Sequence, residues 1–195
     1  MMKSETAEND RNGGMRYAST IKPLQTKASS AFFKYLDKHL QANGKAGVPL
    51  FQPAPATQSA YPRENVAAFL EGLNIAVGSP KWRRAWIAVD AEENIVGHVD
   101  LRARPEPCSS HRALLGMGVR IDLRKNGIGF RLLDFVCEWA RAAESIEIID
   151  LEVISENFPA IRLYEKAGFK RICEVEDMFR IDGQSVSHIL MTKRL

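Results

Sequence analysis

A glycine-containing turn stands between a predicted strand and a predicted helix, and its residue types suit the binding of an anion. The turn reads Arg124-Lys125-Asn126-Gly127-Ile128-Gly129. The first backbone N–H groups of a helix have no partner inside it, so they can bind a phosphate at the positive end of the helix dipole. Gly127 and Gly129 have no Cβ and let a ligand approach the main chain. Arg124 and Lys125 add positive charge. The turn therefore predicts a site for an anionic cofactor, with a plain loop as the alternative.

Two other phosphate-binding motifs are excluded by their spacing. Gly116-Met117-Gly118 is followed by Ile121 where a dinucleotide-binding fingerprint needs its third glycine. The chain also has no Gly-x-x-x-x-Gly-Lys-Ser/Thr sequence. The paired glycines of this predicted strand have three explanations, namely a bulge, a close approach of some group to the backbone, or a weakened strand.

The hydrophobic pattern predicts four helices and a set of short strands. Apolar residues recur at a spacing of three and four in each helix, and they alternate or run together in the strands. The segment 42–62 is rich in Gly and Pro and predicts a long loop, which often covers a site. The predicted helices span residues 28–40, 63–73, 128–143 and 159–167, and the predicted strands span residues 17–24, 84–89, 95–101, 113–121, 146–154, 171–179 and 187–192.

The composition is typical of one globular domain. The 195 residues are 45% hydrophobic and 26% charged, and the formal net charge of +3 does not favour nucleic acid as a partner. Three widely spaced cysteines indicate neither a disulfide framework nor a metal site. No apolar run reaches the roughly 18 residues that a membrane helix needs, and the N-terminus lacks a signal-peptide pattern. We expect a cytoplasmic protein with a disordered tail at residues 1–15 and a single domain at residues 16–195.

Two further motifs follow the glycine turn. They are the strand Leu151-Glu152-Val153 and the run Asn157-x-x-Ala160-Ile161-Arg162-Leu163-Tyr164-Glu165-Lys166-x-Gly168-Phe169. With the strand Leu115-Gly116-Met117-Gly118-Val119, these motifs resemble the GNAT acetyltransferases over about residues 113–192. The similarity is strongest to the branch of ribosomal-protein alanine and small-molecule N-acetyltransferases. The resemblance implies an α+β fold, with a strongly twisted mixed β-sheet of about six to seven strands, splayed in the middle and flanked by about four helices.

The resemblance also implies acetyl-CoA as the acetyl donor. Its pyrophosphate would lie on the amides of the glycine turn, and its pantetheine arm would follow the strand from Met117 to Val119. Asn157 would contact the cofactor, although capping of the helix that follows it also accounts for this residue. The implied cofactor-binding residues are Met117, Gly118, Val119, Arg124, Lys125, Asn126, Gly127, Ile128, Gly129, Asn157 and Tyr164.

Acetyl transfer to an amine makes three chemical demands. The amine must be neutral, which at pH 7 costs about 4.6 kcal/mol for a lysine of pKa ~10.4 and about 1.4 kcal/mol for an α-amine near 8. Attack creates an oxyanion, for which the backbone N–H of Val119 or of its neighbour is the candidate donor. The departing thiolate needs a proton, and Tyr164 stands where family members carry the tyrosine that protonates coenzyme A. Packing of the Tyr164 ring in the core is the alternative.

Glu152 is the candidate base. It alternates with two apolar strand neighbours, so its side chain points to the opposite sheet face. It aligns with the glutamate proposed as base, through water, in the alanine branch, and a solvated strand carboxylate is the alternative. His98, Asp100 and His111 are further candidates for the border of an acceptor pocket, since they lie on or near predicted strands. They stay outside the predicted catalytic set because such lone residues are more often surface groups or hydrogen-bond anchors.

The combined expectation is an enzyme that transfers the acetyl group of acetyl-CoA directly to a primary amine through a tetrahedral intermediate. The acceptor is a small molecule or a peptide N-terminus, without a metal, nucleic acid or membrane, and a homodimer is left open. A non-catalytic acyl-CoA-binding or regulatory module on the same fold is the alternative. Tyr164 favours the enzyme, because a binding module needs no proton donor. Met178-Phe179 disfavours a peptide acceptor, because the alanine-acetylating enzymes carry paired tyrosines there.

Overall fold

The computed structural model describes residues 17–55, 57–58 and 60–195. The tail predicted at residues 1–15 lies outside these residues. The described part contains seven strands, four α-helices and two short 3-10 helices, at Thr26–Ala28 and Ile121–Leu123. The strands are β1 (Thr20–Pro23), β2 (Arg83–Val89), β3 (Ile95–Ala103), β4 (Arg112–Val119), β5 (Ile148–Ile154), β6 (Lys170–Ile181) and β7 (Gln184–Arg194), and the helices are α1 (Ser29–Leu40), α2 (Glu64–Gly72), α3 (Ile128–Ala142) and α4 (Phe158–Lys166).

All seven strands belong to one mixed sheet in the order β1-β2-β3-β4-β5-β7-β6. Only β4 and β5 pair in parallel, and every other neighbouring pair is antiparallel. The predicted α+β fold is therefore confirmed. The sequence predicted β6 and β7 as a closing pair, which is correct. It did not predict that β7 rather than β6 lies beside β5, because a period of two residues does not say which strand of a hairpin joins the sheet.

The sheet separates two apolar clusters that hold the helices. On one side, α3 packs Ile128, Leu132 and Val136 against β3 and β4, one residue per turn. Tyr164 of α4 belongs to the same cluster, so we call this side the α3 face. On the other side, α1 and α2 pack against β2, with Phe32 of α1 fully inside, and this side is the α1 face. Fully burying side chains of this size contributes about 1.5–3 kcal/mol each.

The sheet splits between β4 and β5. The two strands pair only from Arg112 to Leu114 of β4, opposite Ile148 to Asp150 of β5. Beyond these residues β4 continues to pair with β3 as far as Val119, and β5 continues to pair with β7. The wedge between the unpaired halves of the two strands is called the opening. It confirms the splay implied by the family resemblance.

A buried carboxylate links the strands at the narrow end of the opening through hydrogen bonds. Asp150 is 1% exposed and accepts hydrogen bonds from Arg112 Nε at 2.8 Å, Thr192 Oγ1 at 2.7 Å and Arg104 Nη1 at 3.2 Å. These groups lie on or next to β3, β4 and β7. Burial on its own would raise the pKa of Asp150, but the hydrogen bonds from Arg112 and Thr192 outweigh it and hold the pKa below the usual value.

We expect Asp150→Ala to lower the free energy of unfolding by about 3–5 kcal/mol, because it removes the buried carboxylate that pairs with Arg112 and one of the two carboxylates beside Arg104. Glu147→Ala is the control, since its exposed carboxylate pairs with Arg194 and should contribute less than about 1 kcal/mol. The depressed pKa of Asp150 means that its contribution is present above about pH 3.9 and is lost as the pH falls through the folded value. Urea unfolding at pH 7 and in acid measures both effects, and equal losses in the two variants would contradict this role.

Candidate active site

The glycine turn presents a row of free backbone N–H groups. Within the described residues, the N–H groups of residues 125–130 have no hydrogen-bond partner, and the next one, of Arg131, donates to the Gly127 carbonyl oxygen. Gly127 has φ +80° and nothing within 4 Å of where a Cβ would stand, so the space beside it is open. Lys125 also has a positive φ, of 66°. Together these dihedral angles curl the chain so that several N–H groups are left for an anion.

The other turn residues serve the turn itself or the interior. The Asn126 amide donates to the carbonyl oxygens of Leu123 and Arg124. A Cβ on Gly129 would stand 3.0 Å from Leu163 Cδ2 and 3.6 Å from Met117 Cε. The missing Cβ of Gly129 therefore makes room for α4 and β4, and not for a ligand as the sequence analysis expected.

The paired glycines of β4 are explained by close approach of side chains. The β3–β4 register runs without a shift, which excludes a bulge. A Cβ on Gly116 would stand 2.7 Å from Asp100 Oδ1, and a Cβ on Gly118 would stand 2.6 Å from His39 Nε2 and from His98 Cε1. Polar side chains of the α1 face therefore lie directly on the bare backbone of β4.

The open end of β4 turns a backbone donor toward the opening. Arg120 N–H donates to the Val96 carbonyl oxygen of β3 at 2.9 Å. Because backbone groups alternate along a strand, the N–H of Val119 faces away from β3, beyond the last β4–β5 pair. The Val119 carbonyl oxygen accepts from Arg124 Nε at 3.4 Å, which links the strand to the turn. Val119 is thus placed to donate to an oxygen held in the opening.

Tyr164 lies on the α3 face. The residue is 8% exposed, and its ring packs edge-on against Phe169, with the ring centroids 5.9 Å apart. Burial raises the pKa of Tyr164 to about 12, so the phenol stays protonated at neutral pH. Its hydroxyl has no hydrogen-bond partner within the described chain. The ring packs in the core, as the alternative stated, and the protonated hydroxyl keeps the role of acid available.

Glu152 lies on the opposite face. It is exposed between buried neighbours, which confirms the predicted alternation along β5. Its position in the register places it on the α1 face with Gly116 and Gly118, across the opening from them. Asn157 stands at the N-terminal end of α4, but its side chain makes no capping hydrogen bond. The capping explanation of Asn157 is therefore wrong, and its amide has no partner among the described residues.

A cluster on the α1 face was missed by the sequence analysis. The Tyr35 hydroxyl lies 3.1 Å from His98 Nδ1, and the His39 and His98 rings lie 5.7 Å apart. His98 and Asp100 are buried rather than at the surface, and Asp100 pairs with Arg83 and Arg102, each at 3.2 Å. One sequence signal was available, because His39 continues the apolar stripe of α1.

The loop between α1 and α2 crosses the α1 face of the opening. Phe51 lies 4.8 Å from the His39 ring, on the β4 side. Leu50 packs against the cluster of Ile154, Ile181 and Val186, which includes the last residue of β5. Asn43 holds this loop, since its side-chain oxygen accepts from the N–H groups of residues 51 and 52 and its amide donates to the carbonyl oxygens of residues 52 and 54. The described part of the predicted long loop thus lies over the α1 face of the opening.

Two negative findings apply to the part of the chain that the structure describes. It contains no group of three or more His, Cys, Asp or Glu residues able to hold a metal ion. None of its helices is both long and apolar enough to cross a bilayer.

A sheet split between two parallel strands, with a helix-start turn at its open end, is the architecture of the acetyltransferases that the sequence resembles. The model of the acetyltransferase (GNAT) family matches residues 52–169, and the chain belongs to this family. The chain is 30% identical over 77 residues to the L-amino acid N-acetyltransferase AaaT of Escherichia coli. This match covers 40% of the chain and 48% of the relative, so it spans about half of the relative's length.

Solved structures share the fold over almost the whole chain. An acetyltransferase of the GNAT family from Streptococcus pneumoniae has a TM-score of 0.76 at 21% identity, with coverage of 91% of this chain and 100% of that one. The yncA protein of Salmonella typhimurium, solved with its cofactor acetyl-CoA, has a TM-score of 0.71 at 14% identity, with coverage of 91% and 94%. At these identities the structural similarity shows the fold alone.

Proposed function

We propose that the protein transfers the acetyl group of acetyl-CoA directly to the nitrogen of a primary amine. The observation that carries this proposal is the opening between β4 and β5, which has free N–H groups at residues 125–130 on its open end. The turn fits a pyrophosphate because it combines unpaired donors, a helix N-terminus and the open space at Gly127. Acetyl-CoA supplies an activated thioester, and Asn157 and the β4 residues Met117 to Val119 would hold its arm.

The two sheet faces have separate chemical roles in this proposal. The amine approaches from the α1 face, where Glu152 receives its proton through water. The N–H of Val119 donates to the oxygen that becomes negative when the amine attacks. Tyr164, on the α3 face, gives its proton to the departing thiolate and recovers it from water. Because acid and base lie on opposite faces, the nucleophile and the leaving group do not compete for one space.

A small amine is the acceptor class that we propose first. AaaT is an L-amino acid N-acetyltransferase. On the α1 face of this chain Arg83 and Arg102 share the single carboxylate of Asp100, which leaves one positive charge in excess. Such a charge suits an acceptor that carries a carboxylate. An α-amine also needs less help to lose its proton than a lysine side chain.

Release of free coenzyme A from acetyl-CoA tests the function across a panel of L-amino acids, polyamines and peptides with a free N-terminus. We expect at least one small amine to accelerate release far above the rate without an acceptor, together with a matching amount of acetylated amine. If acetyl-CoA raises the melting temperature but no amine accelerates release, the protein is an acyl-CoA-binding module instead.

A further inference from the structure

A buried imidazole lies at the open end of β4. His39 of α1 is 7% exposed and is enclosed by Phe51 and His98, whose rings lie 4.8 and 5.7 Å away. Its Nδ1 has no hydrogen-bond partner within the described residues and is sealed from solvent. Because native proteins satisfy most buried polar atoms, the unpartnered Nδ1 shows that hydrogen bonding within the chain does not account for this histidine, and its other ring nitrogen, Nε2, is the one directed at β4.

The contact with Gly118 places this imidazole beside the reaction site. His39 Nε2 stands 2.6 Å from where a Cβ of Gly118 would be, so only a glycine lets the ring lie this close to the strand. The next residue is Val119, whose N–H faces the opening. The imidazole therefore lies on the α1 face next to the predicted position of the thioester.

The two histidines of this cluster differ in how firmly they are held. The Tyr35 hydroxyl lies 3.1 Å from His98 Nδ1 and holds the ring of His98 by a hydrogen bond. The tautomer of His39 is not fixed in this way, so the proton can lie on the sealed Nδ1 and leave Nε2 free to accept a hydrogen bond. Burial lowers the pKa of His39 to about 3, and the charges of His98 and Arg124 act in the same direction. The His39 ring is therefore neutral at neutral pH, with a lone pair available.

We infer that His39 binds the nitrogen of the acceptor amine. An N–H of the amine donates to His39 Nε2, which turns the nitrogen lone pair of the amine toward the acetyl carbon beside Val119. The proton leaves through water to Glu152, across the opening on the same face. This inference rests on the proposed transfer to an amine and adds the residue that orients the acceptor.

Two variants of His39 distinguish the effect of its hydrogen-bond acceptor atom from the effect of the shape of its ring. His39→Phe keeps a ring against Phe51 without an acceptor atom, and His39→Gln keeps a polar atom near the position of Nε2. With the best amine of the panel, we expect His39→Phe to lower kcat/KM for the amine by about tenfold or more, as for a lost buried hydrogen bond. KM for acetyl-CoA should not change, and His39→Gln should recover part of the loss.

His111→Gln, at the far end of β4, is the control. Wild-type kcat/KM for the amine in His39→Phe would overturn the inference.

Bromoacetyl-CoA tests the position of His39 without any turnover. A lone pair of the imidazole attacks the CH2 carbon, a C–N bond forms, bromide leaves, and the ring N–H proton passes to water. Peptide mass spectrometry should find the alkyl group on His39, and acetyl-CoA should prevent it. Labelling only of His98, of cysteines or of no residue would overturn the inference even in an active enzyme. If His39 is labelled but the protein acetylates no amine, the position of His39 beside the acetyl group stands and the proposed acetyl transfer is overturned.

Discussion

Tyr164→Phe should lower kcat at least about 100-fold while leaving acetyl-CoA binding unchanged, because a positioned general acid contributes about 10²–10⁴ to a rate. The substitution removes one hydroxyl and keeps the ring that packs on Phe169. The hydroxyl has no hydrogen-bond partner within the described chain, so its loss should cost little stability. Steady-state rates with a good amine and the thermal shift produced by acetyl-CoA measure the two effects separately.

The pH dependence gives the same assignment a second test. Burial raises the pKa of Tyr164 to about 12, and an acid must be protonated to act. The wild-type rate should therefore show no alkaline loss from this group below roughly pH 10. Tyr17→Phe is the matched control, since Tyr17 contacts Asp90 rather than the opening. A Tyr164→Phe enzyme that turns over at the wild-type rate would contradict the role of acid.

Gly127→Val should abolish the stabilisation that acetyl-CoA gives to the protein. At a concentration 100 times the Kd a ligand adds about 2.7 kcal/mol to the free energy of unfolding, which is readily seen as a rise in melting temperature. The valine side chain would enter the open space where the phosphate is expected. It would also strain a backbone with φ +80°, which L-residues rarely adopt.

Gly183→Val is the control that distinguishes backbone strain from the loss of acetyl-CoA binding. Gly183 has φ +81° and nothing within 4 Å of its Cβ position, as at Gly127, but it lies in the turn between β6 and β7. Both variants should lose similar intrinsic stability, and only Gly127→Val should lose the thermal shift. Gly129→Val is a poor test because its side chain would collide with Leu163. An undiminished shift in Gly127→Val would overturn the placement of the pyrophosphate.

Much of the fold could be predicted because local periodicity specified it. The stripe of α3 and the glycine that starts it were visible in the chain, and the family motifs implied the split sheet. The alternation around Glu152 also gave its sheet face correctly, since a period of two residues is a local property.

The cluster on the α1 face could not be predicted because it depends on contacts between distant segments. His39, His98 and Phe51 come from a helix, a strand and a loop, and only the packing of α1 on the sheet brings them together. His39 continues the apolar stripe of α1, but the sequence analysis did not single it out, and nothing local distinguishes a ligand from a packed ring. The two glycines of β4 were recognised as unusual, but the groups that approach them lie on other elements.

The structure of the complex with acetyl-CoA tests the central claim most directly. We expect the pyrophosphate oxygens within about 2.7–3.2 Å of N–H groups of residues 125–130, and the thioester oxygen facing the N–H of Val119. The sulfur should lie toward Tyr164, and His39 should border the acetyl group from the α1 face. A pyrophosphate bound instead to the arginines around Asp100 and Asp150, with the turn free, would contradict the account.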